Sequence, residues 1–212
     1  MLVAAPAFAQ GAGAGSAGPV INLWYGGLVT GSASAKKTGG VIGAEAGARV
    51  WRRLDVSLEV GSLSNVVSQG QLDRAQPLTA FLTQTQGLAA DVAVKRPALY
   101  GGINARWVLE DIKLVGWARP YVELGIGGAR VKRESTFTLG GADITSSLEQ
   151  QYGVKLGADF IGTERRATVS GGGGVLVPIR MFYVDAGYRL MTIRTTDAVN
   201  VHRFNIGVGA RF

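Results

Sequence analysis

The segment NVHRFNIGVGARF, residues 200–212, alternates without a break from Phe204 onward. Phe204, Ile206, Val208, Ala210 and Phe212 are apolar, and Arg203, Asn205, Gly207, Gly209 and Arg211 stand between them. A period of two puts these sets on opposite faces of a β-strand. One face is greasy and the other carries charge, so the strand separates two unlike media.

The same period recurs upstream. In 20–29, Ile21, Leu23, Tyr25 and Val29 share a face; in 41–51, Ile42, Ala44, Ala46, Ala48 and Val50 lie opposite Glu45 and Arg49. In 55–64, Val56, Leu58 and Val60 oppose Ser57 and Glu59. Segments 98–109, 120–131 and 181–193 set Trp107, Leu124 and Val184 against Arg106, Glu123, Asp185 and Arg189. The glycine-rich 168–179 keeps Val175 and Val177 in phase. No amphipathic crossover helices flank these strands, which argues against a parallel α/β sheet.

Composition points the same way. Of 212 residues only 17% are charged, 32 are glycine, and 22 Lys+Arg against 15 Asp+Glu leave a net charge of +7. Disordered chains combine low hydrophobicity with high charge, so that class is excluded. No apolar run reaches the ~18 residues of a transmembrane helix. The hydrophobicity must therefore be spent on strands.

Connection lengths alternate. The second and third strands are joined by a tight turn at Arg52-Arg53-Leu54, the sixth and seventh by a turn after Pro178, and 109–119 is of middling length. The connections 65–97 and 132–167 are long. Short turns at one end and long loops at the other mark a closed antiparallel transmembrane β-barrel. Eight strands with extended loop hairpins are preferred, the segments 135–141 and 151–162 rising above the membrane; counting them as a further pair gives the alternative of ten.

In a membrane barrel the apolar face points outward. The polar set comprises Glu45, Arg49, Glu59, Asn104, Arg106, Glu123, Asp185, Arg189, Arg203 and Asn205, with both signs nearly balanced. An enclosed lumen keeps charges only when they are paired. Glu45, Arg49, Glu59, Arg106, Glu123, Asp185, Arg189 and Arg203 are therefore expected to form a luminal salt-bridge network that fills the interior of an eight-stranded barrel. Tyr25, Trp51, Trp107, Phe182 and Phe212 are placed at strand ends as an interfacial aromatic girdle. A soluble β-sandwich would carry more lysine on its outward positions than these strands do.

The closing segment resembles the C-terminal signature of Gram-negative outer-membrane β-barrel proteins, with Phe212 last and Phe204, Ile206, Val208 and Ala210 at the alternate positions before it. RPYVELGIGGARV (119–131) and FYVDAGYRL (182–190) are similar to strands of the small OmpA/OmpX-like barrels. The resemblance covers roughly residues 20–212. It implies a multi-pass protein of the cell outer membrane, whose last strand is read by the barrel-assembly machinery and closes the barrel against the first. It also implies a structural or loop-mediated adhesive role, with a small-molecule channel or hydrophobic-ligand binder as the alternative.

Other chemistry is thin. His202, the single histidine, has no serine beside it for an acyl-transfer site and falls in phase with the outward set, so a lipid-modifying enzyme is the less favoured reading. GGGG (171–174) and GIGG (125–128) lack the Lys-Ser/Thr of a phosphate loop. Glu45 and Glu59 beside arginines read as ion pairs rather than glycosidase acids. No enzymatic activity, metal or cofactor is expected, and no nucleic-acid partner. Lys36-Lys37, Lys95-Arg96, Lys132-Arg133 and Arg165-Arg166 fall in or beside the long loops, suited to outer-membrane lipid and lipopolysaccharide phosphates. Residues 71–86 suggest a short helix begun near Pro77, with Leu78, Phe81 and Leu82 as its apolar face. Loops 65–97 and 132–167 are candidate surfaces for an envelope or extracellular protein. Residues 1–9 read as the remnant of a signal peptide, 10–19 as a flexible Gly/Ala leader and 20–212 as the barrel.

Overall fold

Backbone pairing runs round a complete ring. The computed structural model describes residues 23–34, 39–67, 69–112, 117–153, 157, 160–194 and 198–211; the leader region and Phe212 lie outside them. In chain order the elements are β1 (Leu23–Ser34), β2 (Gly39–Arg49), β3 (Leu54–Leu63), α1 (Gln69–Gln86), β4 (Ala90–Lys95) and β5 (Ala98–Val108). There follow β6 (Arg119–Leu139), β7 (Ala142–Asp143), α2 (Leu148–Tyr152), β8 (Gly162–Ile179), β9 (Phe182–Ile193) and β10 (Val199–Arg211). Strands β3-β2-β1-β10-β9-β8-β6-β5 pair antiparallel in that order, and β5 pairs back to β3. The seam is the β1–β10 ladder, from Leu23↔Arg211 to Ser34↔Asn200. Eight strands close the barrel, so no edge in the ring is left with unpaired backbone groups.

The two further strand segments anticipated from alternation resolve differently. Residues 135–139 continue β6 beyond the barrel, where it pairs with β4 and, across the Gly140-Gly141 turn, with β7. Within 151–162, Tyr152 ends the short helix α2, Gly153 stops it with φ 66°, and 154–156 and 158–159 lie outside the described residues. Tyr152 and Phe160 instead pack on Phe137, Leu139, Ile144 and Leu148. Helix α1 seals this outer lobe with Leu82 and Leu78 against that cluster and Leu72 and Ala75 against Val67 and Val94. It starts upstream of the expected point, with Pro77 inside it, because burial of Leu72 and Ala75 extends the helix backwards. Phe81 falls at the edge of the apolar face and is 52% exposed.

The barrel wall is inverted in one zone and ordinary in another. Leu28 (72%), Ile42, Leu124, Ile126, Ile206 (66%) and Val208 lie bare on the outside. No described helix is long and apolar enough to cross a membrane; the outer apolar band belongs to strands alone. Toward the long loops the polarity of the two faces reverses. Val41, Leu63, Ala129, Val131, Met191, Ile193, Val199 and Val201 turn inward as an apolar cluster, while Arg130, Lys132 and Asn200 face out. The strands leave the apolar band there and adopt the polar-out layout of a water-soluble barrel.

Strand β1 corrects one face assignment. Tyr25 and Val29 point into the lumen, not to the outer girdle, and Leu28 points out. Glycines at 26 and 27 leave β1 with apolar residues on both phases, and the Tyr25 hydroxyl decides the matter by donating to Glu45 at 3.3 Å. Trp51, Trp107 and Phe182 do lie exposed near the turn end.

Replacing Leu124 by Arg should cost about 2–4 kcal/mol of unfolding free energy in lipid vesicles. Thr136→Arg, on the same strand and face but beyond the band, should cost almost nothing in the same denaturant titration. Equal costs would contradict the inverted wall.

Candidate functional site

Small interior width dictates the lumen. An eight-stranded barrel has room for side chains but not for water columns, so inward residues must interlock. Tyrosine fits only where a facing strand lacks a Cβ. The Tyr100 ring lies over Gly61, where an added Cβ would sit 2.5 Å from it, and the Tyr183 ring lies over Gly209, at 2.1 Å. In the 171–174 tract, Gly172 and Gly174 lie so close to the β9 backbone that a Cβ there would meet the carbonyl oxygens of Tyr188 and Ala186 at 2.1 and 2.3 Å.

Within this frame the ion pairs form one connected cluster. Arg189, 2% exposed, reaches Glu45, Glu59 at 2.9 Å and Glu123 at 3.0 Å. Arg106, 1% exposed, hydrogen-bonds Glu123 at 3.1 Å and forms an ion pair with Asp185 at 2.8 Å, and its guanidinium lies between the rings of Tyr25 and Tyr121, 4.6 and 4.1 Å from their centroids. Arg203 pairs with Glu59 and faces the Tyr100 ring at 5.4 Å. Neutral groups add hydrogen bonds to three of the four carboxylates: Ser57 donates to Glu45 at 2.6 Å, Asn104 to Glu59 at 3.2 Å, and Tyr121 and Asn205 to Asp185 at 2.8 and 3.2 Å.

Of the residues singled out from the sequence, Glu45, Glu59, Arg106, Glu123, Asp185, Arg189 and Arg203 are brought together here. Arg49 stands apart at the turn end, where it pairs with the fully buried Asp55 at 2.7 Å and with Glu110 at 3.6 Å. Asp55 was legible in principle, being in phase with Glu59. Tyr121 and Tyr183 share the inward phase of Glu123 and Asp185; Tyr25 was not legible, because the tyrosine hydroxyl makes an inward and an outward position equally acceptable until its neighbours are known.

Apolar layers bracket the charges. The aliphatic cluster around Leu63, Met191 and Val201 covers the loop end, and Tyr25, Val108, Tyr121, Leu176 and Tyr183 cover the turn end. A cavity between Glu59, Tyr100, Met191 and Arg203 measures about 10 Å³, close to the least volume that holds a single water.

Above the loop-end layer the adjacent basic residues separate. A strand sends neighbours to opposite faces, so Lys132 and Arg165 are outward while Arg133 and Arg166 turn in, and Arg96 is 3% exposed. Arg96, Arg133 and Arg166 converge on Glu164 at the neck between barrel and lobe. Burial opposes ionisation of Glu164, but the Arg166 hydrogen bond and the charges of Arg133 and Arg96 hold its carboxyl below the usual range. Lys36 and Lys37 lie outside the described residues. His202 stays on the outer wall, with its Nδ1 2.5 Å from the Tyr188 hydroxyl, and Tyr188 stacks near Phe204 at 5.3 Å.

No family model matches the sequence, and no curated protein does. Among solved structures, Neisserial surface protein A aligns with a TM-score of 0.52 and 15% identity over 90% of this chain and 96% of that one. A major outer membrane protein from Thermus thermophilus aligns with a TM-score of 0.50 and 10% identity over 90% and 99%. The likeness is one of fold: the chain has the architecture of the eight-stranded outer-membrane β-barrels.

Arg189→Met should lower stability by about 3 kcal/mol or more, since it strands buried carboxylates. Arg53→Met, which breaks a pair with the exposed Asp111, should cost under about 1 kcal/mol. Chemical denaturation of both variants in one lipid makes the comparison. Because Glu164 is held below its ordinary range, its contribution is complete at neutral pH and is lost only as pH falls beneath the unfolded-chain glutamate range. Proteolysis of the lobe should therefore accelerate in strong acid for the wild type, and at every pH for Glu164→Gln.

Proposed function

We propose that the chain is an integral protein of the Gram-negative outer membrane whose barrel is a sealed anchor, and that the anchor displays the outer lobe for structural or adhesive contact. The observation that supports this most is the layered lumen. An ion-pair cluster closed by apolar layers at both ends gives an ion no continuous wet path. A bare ion crossing the aliphatic layer around Met191 and Val201 would have to shed its hydration without compensation.

The loop connections support display. Strand β6 runs on without interruption from the apolar band to Leu139, carrying β4, α1 and α2. A continuous strand transmits position far better than a flexible linker, so the lobe is held at a fixed height over the barrel mouth. Its partner is an envelope or extracellular protein approached through 65–97 and 132–167. The last strand, with Phe204, Ile206, Val208 and Ala210 on the outer face, is the segment offered to the barrel-assembly machinery.

The small-molecule channel is the competing reading, and conductance separates the two. Reconstituted protein should migrate faster on an unboiled than on a boiled detergent gel, as an intact barrel does, and should give no discrete openings in a planar bilayer. Steady unitary openings would overturn the sealed lumen.

A further inference from the structure

The +7 net charge is not spread evenly over the outer wall. Just above Ile126 and Val169, Arg130 on β6 lies directly across from Arg165 on β8, both exposed. Lys132 stands two residues further along β6. Arg194, exposed and bonded through its N–H to the Ala167 carbonyl, adds a fourth cation beside them. Like charges set opposite each other on one face of a sheet repel. Lys132 holds Glu134 at 2.6 Å, but neither Arg130 nor Arg165 has a carboxylate partner among the described residues.

The wall below this row is unusually bare. Gly101, Gly128 and Ala167 are consecutive register partners across β5, β6 and β8, directly beneath the arginine row. One strand further round, Ile42, Ala44, Val60, Gly61, Leu99 and Tyr100 line an open dent of about 600 Å³ whose exposed lining is almost wholly apolar. Leu99, at its rim, is the register partner of Arg130. A hydrocarbon groove thus abuts a pair of uncompensated guanidiniums at the level where the outer wall changes from apolar to polar.

Resting on the outer-membrane reading above, we infer that this face is a site for one phosphorylated, multiply acylated lipid: the bis-phosphorylated glucosamine lipid of the outer leaflet, lipid A. An acyl chain lies in the Ile42–Val60–Leu99 dent, and a phosphate sits over Arg130 and Arg165. A phosphate there turns the repulsion between the arginines into two charge-assisted contacts. The small residues let the sugar approach the wall closely.

The test titrates the purified, detergent-folded barrel with bis-phosphorylated lipid A, with the same lipid dephosphorylated, and with inorganic phosphate. Wild type is compared with Arg130→Gln/Arg165→Gln, and with Arg52→Gln/Arg180→Gln, which removes equal charge at the turn end. Wild type should prefer the phosphorylated lipid by about tenfold or more, the first double variant should lose that preference, and the second should keep it. Gly128→Leu should weaken lipid A as well, since a Cβ there comes no nearer than 3.8 Å to its neighbours and the variant can fold. Retained preference in Arg130→Gln/Arg165→Gln, equal loss in the turn-end variant, or displacement of the lipid by millimolar inorganic phosphate would each overturn the site. The unboiled-gel shift keeps the two readings apart. A wild type without it fails as a barrel, whereas shifted variants with unchanged lipid preference defeat this site alone.

Discussion

Within the apolar band every backbone N–H and C=O must find its partner inside the chain, because the surroundings offer none. The β1–β10 seam meets that constraint, and the rest follows from it. Closing the ring with eight strands fixes its width, and the width allows only side chains inside. An interior that narrow cannot hydrate charges, so the arginines and carboxylates that face inward must satisfy one another. Tyrosines can enter only over glycines, as at Gly61 and Gly209. Closure, packing and charge pairing are one solution rather than three.

The ion-pair cluster illustrates how burial and connectivity work together. A lone buried pair often contributes little, since desolvation offsets attraction. Here Arg189 serves carboxylates on β2, β3 and β6, and Arg106 serves β6 and β9. Each guanidinium therefore ties together strands that are not neighbours in the sheet. Such links oppose register slips, which would turn charged residues toward the hydrocarbon.

Beyond the band the same strands obey the opposite rule. Met191 and Ile193 on β9, and Val199 and Val201 on β10, turn inward because water now covers the outside. That reversal lets β6 continue into a lobe with its own core around Phe137 and Leu82. The Arg96–Arg133–Arg166–Glu164 neck joins the two regions. It lies where the wall has left the apolar band and the lobe has begun.

Much of this was written in the one-dimensional pattern. Alternation and loop asymmetry determine an antiparallel barrel, its inverted wall and the inward phase of Glu45, Glu59, Arg106, Glu123, Asp185, Arg189 and Arg203, because a strand's period of two is local and independent of context. Other matters depended on which strands became neighbours. Pattern alone set Tyr25 outside, but Glu45 on β2 draws its hydroxyl in. Residues 151–162 alternate like a strand, yet Gly153 ends helix α2 and Phe160 joins the lobe core. Arg49 shares the inward phase with the others but is paired with Asp55 at the rim. The arginine row at 130 and 165 exists only through β6–β8 register. Phase can be read along a chain; adjacency between distant strands is settled only when the ring closes.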